Sequence, residues 1–231
     1  MIETTSTRAL LALLHLCDSL FPIGGFGYSD GLEAATATGL VETPADLQAW
    51  LDVCLDDVVG RLDGLAVLRG WSAFERQDWQ ALCELDTEVT AMRPASATRR
   101  SSRAMGFRLV GTWSALYRDD RLEHVLDLAR AGPLGPALPI AFGCACASAG
   151  VGRRDAGAAF AYTRLASTIS AALRLMRIGQ TDAHALLANT LGRVPAVVDA
   201  VTTRGRLESF TPAMDLAAMT QQYLHSRLFR S

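Results

Sequence analysis

Residues 18–33 read DSLFPIGGFGYSDGLE, and this stretch separates a leucine-rich helical pattern from the helices that follow it. Its sixteen positions hold one proline, four glycines and three aromatic residues. Glycine tolerates positive φ angles and the close approach of another surface, while Pro22 fixes its own φ. Aromatic side chains exposed on such a loop would anchor a protein partner. The same composition also fits a long turn between helices whose aromatic rings pack into the core.

Helical periodicity dominates on both sides of this loop. Apolar residues recur three and four positions apart in nearly every segment, and no stretch has the alternating pattern of a half-buried strand. Thr43 followed by Pro44 is a typical helix start. Before the loop, a stripe that the spacing predicts to be buried comprises Leu10, Leu13, Leu14 and Cys17.

These patterns predict an all-α fold, a single-domain bundle of roughly ten helices that spans residues 1–231. Residues 62–76 are predicted to form a helix that is separate from the one before it. Asp155 and Thr181 are predicted to cap two later helices, because short polar side chains satisfy the first free N–H groups of a helix. The last helix is expected to span residues 212–225.

The charged residues exclude several classes of function. The sequence has no lysine, so it lacks the phosphate-binding lysine of a P-loop NTPase and the lysine of a Schiff-base enzyme. The net charge of −2 argues against general nucleic-acid binding. Residues 1–91 hold fifteen acids and four arginines, whereas residues 92–231 hold nine acids and eighteen arginines. Such polarity suits oriented contacts with protein partners.

The sequence predicts a cytoplasmic protein. It begins MIETTSTR, which is unlike a secretory signal, and its five scattered cysteines suit a reducing compartment. The segment between Arg130 and Arg153 carries no charge, but its prolines and glycines argue against a membrane span. A buried, closely packed helix over residues 137–149 is predicted there instead.

Two motifs suggest other functions. Residues 27–31 match G-x-S-x-G, the pattern around the nucleophile of serine hydrolases, which would be Ser29. That motif follows a strand, whereas a helical pattern and Pro22 precede it here. Cys144 and Cys146 could carry nickel, since thiolates suit such metals. Residues two apart on a helix point about 200° from each other, however, so packing cysteines are favoured over a metal site.

Two arginine-containing segments are candidate partner-binding sites. Arg99 and Arg103 lie four apart in the helix predicted over residues 96–117, and they form a basic ridge that either faces solvent or docks an acidic patch. Residues 226–231 read SRLFRS and place a Leu-Phe pair between two arginines. Chain ends are usually polar and frayed. This tail therefore either folds onto its own domain or inserts into another protein as a peptide-like ligand.

Four separated motifs together resemble the UreF family of urease accessory proteins. They are the loop DSLFPIGGFGYSDGLE, the stretch RRSSRAMGFRL (99–109), the stretch LRLMRIGQTDAH (173–184), and FTPAMDLAAM with the final SRLFRS. The resemblance covers essentially the whole chain, and the loop and the tail are its most distinctive parts.

The resemblance implies an all-α, cytoplasmic homodimer without catalysis or a cofactor of its own, and without a nucleic-acid or membrane partner. It implies that the protein joins the accessory protein UreD, also called UreH, to the GTPase UreG. The assembly would deliver nickel to apo-urease at the expense of GTP. The tail, with Arg227 at its centre, would become ordered on binding UreD and support the recruitment of UreG.

The residue patterns and the resemblance together give the expected partner-binding residues. They are Phe21, Pro22, Gly24, Gly25, Phe26, Tyr28, Arg99, Arg103, Arg174, Gln180, Asp182, Arg227, Leu228, Phe229 and Arg230. The resemblance places Arg174, Gln180 and Asp182 at the dimer or UreG surface. The family often has a His-Glu pair in its last helix, where this chain has Gln221 and Gln222, so a nickel or partner contact of that pair does not transfer.

Overall fold

All regular secondary structure in residues 6–230 is helical, which confirms the predicted all-α class. The structure is a computed structural model that describes these residues, except for the side chain of Phe26. Ser231, the last residue of the predicted tail, lies outside the described part. The α-helices are α1 Thr7–Cys17, α2 Leu32–Ala37, α3 Pro44–Val53, α4 Gly64–Glu75, α5 Trp79–Ala91, α6 Ser96–Leu116, α7 Asp120–Ala131, α8 Leu138–Ser148, α9 Arg153–Leu175, α10 Gln180–Leu191, α11 Val194–Thr203 and α12 Pro212–Thr220.

One unbroken helix runs through α3 and α4, where the sequence predicts two separate helices. Its start is as predicted, because Thr43 Oγ1 accepts the N–H of Asp46 and the Asp46 carboxylate accepts the N–H of Thr43. The connecting segment Cys54–Asp63 is π-helical. It packs against α11, where a Cβ on Gly60 would lie 3.3 Å from Val197 Cγ1. The segment thus lies close to α11 within a continuous helix that local apolar spacing does not indicate.

Helix α8 lies within the larger of two buried clusters, as its small residues predict. A Cβ on Gly143 would lie 2.5 Å from the carbonyl oxygen of Val67, so α8 and α4 touch backbone to backbone. On its other side, a Cβ on Gly106 of α6 would lie 1.9 Å from the carbonyl oxygen of Pro136. Within residues 6–230, no helix is long and apolar enough to cross a membrane.

The predicted buried stripe of α1 is half right, because Leu13 and Cys17 are half-buried against the larger cluster and the other two members are not. Leu10 and Leu14 are 47% and 59% exposed, whereas Ala9, Ala12 and Leu16 are buried. The buried face of the helix is therefore formed by its two alanines and Leu16, with Leu13 and Cys17 at its edge. It is rotated from the predicted face, so that Leu10 and Leu14 point outward.

Two predicted caps are also wrong. Helix α9 begins after Gly152, so Asp155 lies within its first turn and not at its cap. Helix α10 begins after Gly179, so Thr181 is likewise inside the first turn. The caps of α9 and α10 therefore lie three and two residues before the predicted ones, at a glycine in each case.

Helix α12 is shorter than predicted. It ends at Thr220 and is followed by a 3-10 turn over Gln221–Tyr223. Leu224 then takes extended backbone angles, with φ −64° and ψ 137°. Residues 224–230 therefore leave the helix and run back to the loop at residues 18–33.

Candidate functional site

The loop and the tail, although far apart in sequence, lie against each other. The N–H of Arg230 donates to the carbonyl oxygen of Gly27 at 2.6 Å. The N–H groups of Leu228 and Phe229 donate to the carboxylate of Glu33, in the first turn of α2. Consecutive tail residues are therefore held through their main chain.

Glu33 is the centre of a buried polar network. The residue is 5% exposed, and its Oε2 also accepts a hydrogen bond from Gln221 Nε2 at 3.0 Å. Gln221 in turn accepts a hydrogen bond from Ser29 Oγ at 3.2 Å. Burial of a carboxylate is costly unless hydrogen bonds satisfy it. This network therefore joins the loop, α2 and the turn after α12 into one unit.

The ring of Phe229 fixes the tail from its other side. Phe229 is 3% exposed, and the guanidinium carbon of Arg174 lies 3.9 Å from the centre of its ring. A guanidinium over an aromatic face is attracted by the ring electrons. In this structure the tail thus folds onto its own chain, the first of the two arrangements that its sequence allows. Leu228 points outward and is 65% exposed.

An open groove of about 700 Å³ separates the loop, the first half of α6 and the tail. Arg100 lines it from α6, and Arg227 and Arg230 line it from the tail. Tyr28 and Leu228 add apolar surface. Among the described residues that line the groove, none is acidic. The groove is therefore positively charged and suits a segment that carries carboxylates.

Glycines and an ion pair fix the conformation of the loop. Gly24 and Gly31 have φ of +78° and +89°, values that favour glycine. A Cβ on Gly31 would lie 2.8 Å from the backbone nitrogen of Ala218, so α12 passes directly over the loop. Arg164 of α9 donates to Asp30 at 2.5 Å. The loop is therefore attached to two helices as well as to the tail.

Phe21 lies in the core and not at the surface. It is 5% exposed, and its ring centre lies 5.7 Å from that of Trp113. It is not available as a partner anchor in this structure, because burial of an aromatic ring there stabilises the fold. Pro22 is exposed and Gly25 is half-buried, and the side chain of Phe26 lies outside the described part.

The two ridge arginines make contacts within the chain. Arg99 Nη1 donates to the carbonyl oxygen of Arg93 at 2.5 Å. The exposed guanidinium of Arg103 folds over Gly135, where a Cβ would lie 1.7 Å from its Nη2. Of the arginines in this part of α6, Arg100 is the one that lines the groove. Arg100 is therefore a better candidate for partner binding at the groove than Arg99 and Arg103, the pair that the sequence predicts.

The residues of the 173–184 motif are divided between two places. Arg174 contacts the tail through Phe229. Gln180 and Asp182 are exposed in the first turn of α10 and do not line the groove. Their role in partner binding stays a prediction.

Ser29 is not presented as a nucleophile. It is 6% exposed, its hydroxyl donates to Gln221 and it accepts the N–H of Glu33. A 3-10 turn precedes it, where the hydrolase motif needs a strand. The geometry therefore gives Ser29 a structural role within the loop.

Cys144 and Cys146 are fully buried in α8. Burial raises the pKa of the Cys144 thiol to about 12 and raises the pKa of Cys146 well above its ordinary value. The thiolate is the form that binds metals, so these protonated thiols are poor nickel ligands. Within residues 6–230, no group of three or more His, Cys, Asp or Glu side chains is placed to hold a metal ion.

The sequence reasoning missed Glu33 and treated Gln221 only as a departure from a family pattern. A signal for Glu33 does exist, because it is the one acid among the apolar residues Leu32, Ala34 and Ala35. An acid is almost never fully buried unless it is paired, so an acid within a run that is expected to be buried needs a specific partner. No comparable pattern marks Gln221.

Comparison with known proteins gives a consistent result. A family model described as UreF matches residues 41–191. A protein named urease accessory protein UreF from Methylibium petroleiphilum is 32% identical, over 98% of this chain and 96% of the relative. Proteins of the same name from Cupriavidus pinatubonensis and Azoarcus sp. are 32% and 31% identical, and each comparison covers at least 95% of both chains. The loop and the tail lie outside the family-model match, whereas these relatives cover nearly the whole chain.

Proposed function

Because this chain belongs to the UreF family of urease accessory proteins, we propose that it is a non-enzymatic scaffold that joins UreD (UreH) and the GTPase UreG. The assembly delivers nickel to apo-urease. UreG supplies the hydrolysis of GTP, since this chain has no lysine for a phosphate-binding loop. The scaffold works in the cytoplasm as a homodimer.

The observation that carries this proposal is the groove between the loop, α6 and the tail. Arg227 and Arg230 flank the exposed side chain of Leu228. Such a segment complements a partner surface on which carboxylates surround an apolar pocket. UreD binds this surface through the tail, and UreG is recruited to the same side through Arg100.

The scaffold also links the nucleotide state of UreG to metal transfer. A binding partner shifts a conformational equilibrium only by its difference in affinity for the two states. The proposal therefore requires tighter binding of the GTP-bound than of the GDP-bound form of UreG.

Other surfaces serve the remaining contacts. Gln180 and Asp182 are exposed and available at the dimer or UreG surface, and Arg103 is an exposed residue of α6. Leu10 and Leu14 of α1 are exposed apolar residues, which suits burial against a second protein chain.

Deletion of residues 227–231 tests the proposal. The shortened chain is expected to keep its helix content by circular dichroism and its dimer by size-exclusion chromatography, but to lose co-purification with UreD. Arg206→Gln is the matched control, because it removes an exposed arginine whose side chain is 83% accessible. Co-purification of the shortened chain with UreD at normal yield would refute the proposal. If the protein were only a structural subunit, the deletion would change nothing except its solubility.

A further inference from the structure

Glu33 is a buried acid whose hydrogen-bond donors come largely from the tail. Its Oε1 accepts the N–H of Leu228, and its Oε2 accepts the N–H of Phe229 at 3.3 Å. Gln221 Nε2 is the further donor, at 3.0 Å. A buried carboxylate needs such donors, and N–H groups bound to a carboxylate are held more strongly than those bound to a neutral acceptor. Carboxylate and tail therefore stabilise each other.

The way in which the tail is held determines what it displays. Main-chain N–H groups of Leu228, Phe229 and Arg230 make the contacts to Glu33 and Gly27. The ring of Phe229 is buried, whereas the side chains on either side of it are exposed. The docked tail consequently presents an apolar side chain next to an arginine in a fixed register.

We propose that Glu33 is a positioning residue for partner binding: it holds residues 228–230 in the register that presents the tail to UreD. This inference rests on the proposed function, in which the tail binds UreD. It assigns to the Glu33 carboxylate a part in setting the register, alongside the buried ring of Phe229 and the hydrogen bond of Arg230 to Gly27. The partner surface that fits is apolar with flanking carboxylates, as argued for the groove.

A simpler role for Glu33 would be to join α2 to the turn after α12 through Gln221. The two roles differ in which hydrogen bonds matter. If Glu33 serves only that internal contact, any pair of side chains that preserves the contact between positions 33 and 221 will suffice. If Glu33 positions the tail, a carboxylate must be at residue 33, because its two oxygens accept the N–H groups of Leu228 and Phe229.

The Glu33→Gln variant separates tail docking from the rest of the fold. The amide keeps the shape of the side chain but places an NH₂ donor where one tail N–H donates now. Amide hydrogen exchange in the isolated chain is expected to become at least tenfold faster at Leu228 and Phe229, with no change at Cys144 in α8. Glu123→Gln, at an exposed acid on α7, is the control and should leave all three amides unchanged. Unchanged protection of Leu228 and Phe229 in Glu33→Gln would overturn the inference.

The double variant Glu33→Gln with Gln221→Glu keeps the proposal testable if the single variant folds poorly. It exchanges the two partners, so the contact between positions 33 and 221 and the buried charge both remain. We expect its thermal midpoint to return close to that of the wild type while the exchange at Leu228 and Phe229 stays fast. Slow exchange at both residues in the double variant would show that the tail does not need the two acceptor oxygens of a carboxylate at residue 33, and would overturn the inference.

Binding to UreD completes the test. Glu33→Gln is expected to weaken the affinity for UreD at least tenfold in a titration with the full chain, although every tail residue is present. If exchange becomes faster but the affinity for UreD is unchanged, Glu33 docks the tail without positioning it for the partner, and the inference fails. If the wild-type chain itself does not bind UreD, the proposed function fails, and so does the claim that Glu33 presents the tail to UreD. The hydrogen-exchange data then decide whether Glu33 docks the tail.

Discussion

Arg164 Nη1 lies 2.5 Å from Asp30 Oδ2, and this ion pair joins α9 to the loop that precedes α2. The two side chains are 16% and 28% exposed, so water screens the pair only in part. Arg164 Nε is buried without a hydrogen-bond partner among the described residues. The carboxylate of Asp30 therefore offsets much of the cost of burying this guanidinium. The same ion pair holds the loop against α9.

Asp30→Ala is expected to lower the free energy of unfolding by about 3 kcal/mol, because it leaves a buried cation without its partner. Urea denaturation monitored by circular dichroism measures the change. Asp127→Ala is the control, since the pair that Asp127 makes with Arg130 is about two-thirds exposed and exposed pairs contribute little. Equal effects of the two substitutions would contradict the structural role of the Asp30 pair.

Three glycines separate the effects of backbone strain and of close contact. Gly31 has a positive φ and lies against the backbone of α12, Gly132 has a positive φ and open space, and Gly205 has neither constraint. We expect Gly205→Ala to be neutral and Gly132→Ala to cost about 1 kcal/mol. Gly31→Ala should cost about 3 kcal/mol or more, because overpacking adds to the strain. Thermal unfolding of the three variants measures the loss of stability in each. A Gly31→Ala variant as stable as the wild type would contradict the packing of α12 on the loop.

Asp86 holds the segment before α8 in place. It is 3% exposed and accepts the N–H groups of Gly135 and Ala137, each at 2.8 Å. Burial raises the pKa of Asp86, and the two hydrogen bonds act against that rise without cancelling it. The folded state therefore binds more protons than the unfolded state at pH values between the unfolded and folded pKa. The contribution of Asp86 to stability rises as the pH falls through that interval.

Asp86→Asn is expected to remove this dependence on pH. The difference in unfolding free energy between the wild type and the variant should grow as the pH is lowered from 7 towards about 4, the ordinary pKa of an aspartate. Guanidinium denaturation at several pH values measures it. Asp199→Asn is a useful contrast, since Arg154 holds the pKa of Asp199 below its ordinary value. A difference for Asp86→Asn that is constant with pH would contradict the expectation.

Arg100 offers a test of the proposed contact between α6 and UreG. We expect Arg100→Ala to weaken the binding of UreG about tenfold at low salt, with a smaller effect at high salt, because an exposed arginine acts mainly through long-range attraction. Single-turnover hydrolysis of GTP at saturating concentrations should be unchanged. A loss of a hundredfold or more in the saturated rate would instead assign Arg100 as an arginine that acts on the nucleotide in trans. Arg118→Ala, at an exposed arginine beyond the end of α6, is the control.

The sequence predicts the elements well where the signal is local. The all-α class, the capped start at Thr43 and the buried α8 all depend on neighbouring residues, and the structure confirms them. The joined α3 and α4, the rotated buried face of α1 and the early end of α12 depend on packing against elements distant in sequence. Periodicity within one segment does not contain that information.

The candidate site shows the same division. The loop and the tail are visible in the sequence because their composition is unusual, but the contact between them is not. Glu33 and Gln221 are separated by most of the chain, and only the fold brings them together. The burial of Phe21 could not be read from the loop either, since an aromatic residue next to proline fits an exposed anchor and a core residue equally well.

The tail is docked through the backbone N–H groups of Leu228, Phe229 and Arg230, and every amino acid except proline carries such a group. The outward-facing side chains of Leu228 and Arg230 can therefore be replaced without removing the hydrogen bonds that seat the segment. In the proposed function those side chains would set the preference for a partner, whereas the main-chain N–H groups of the same residues dock the tail. We therefore expect relatives of this chain to differ at these two positions while they keep the acceptor at residue 33 and the aromatic ring at residue 229.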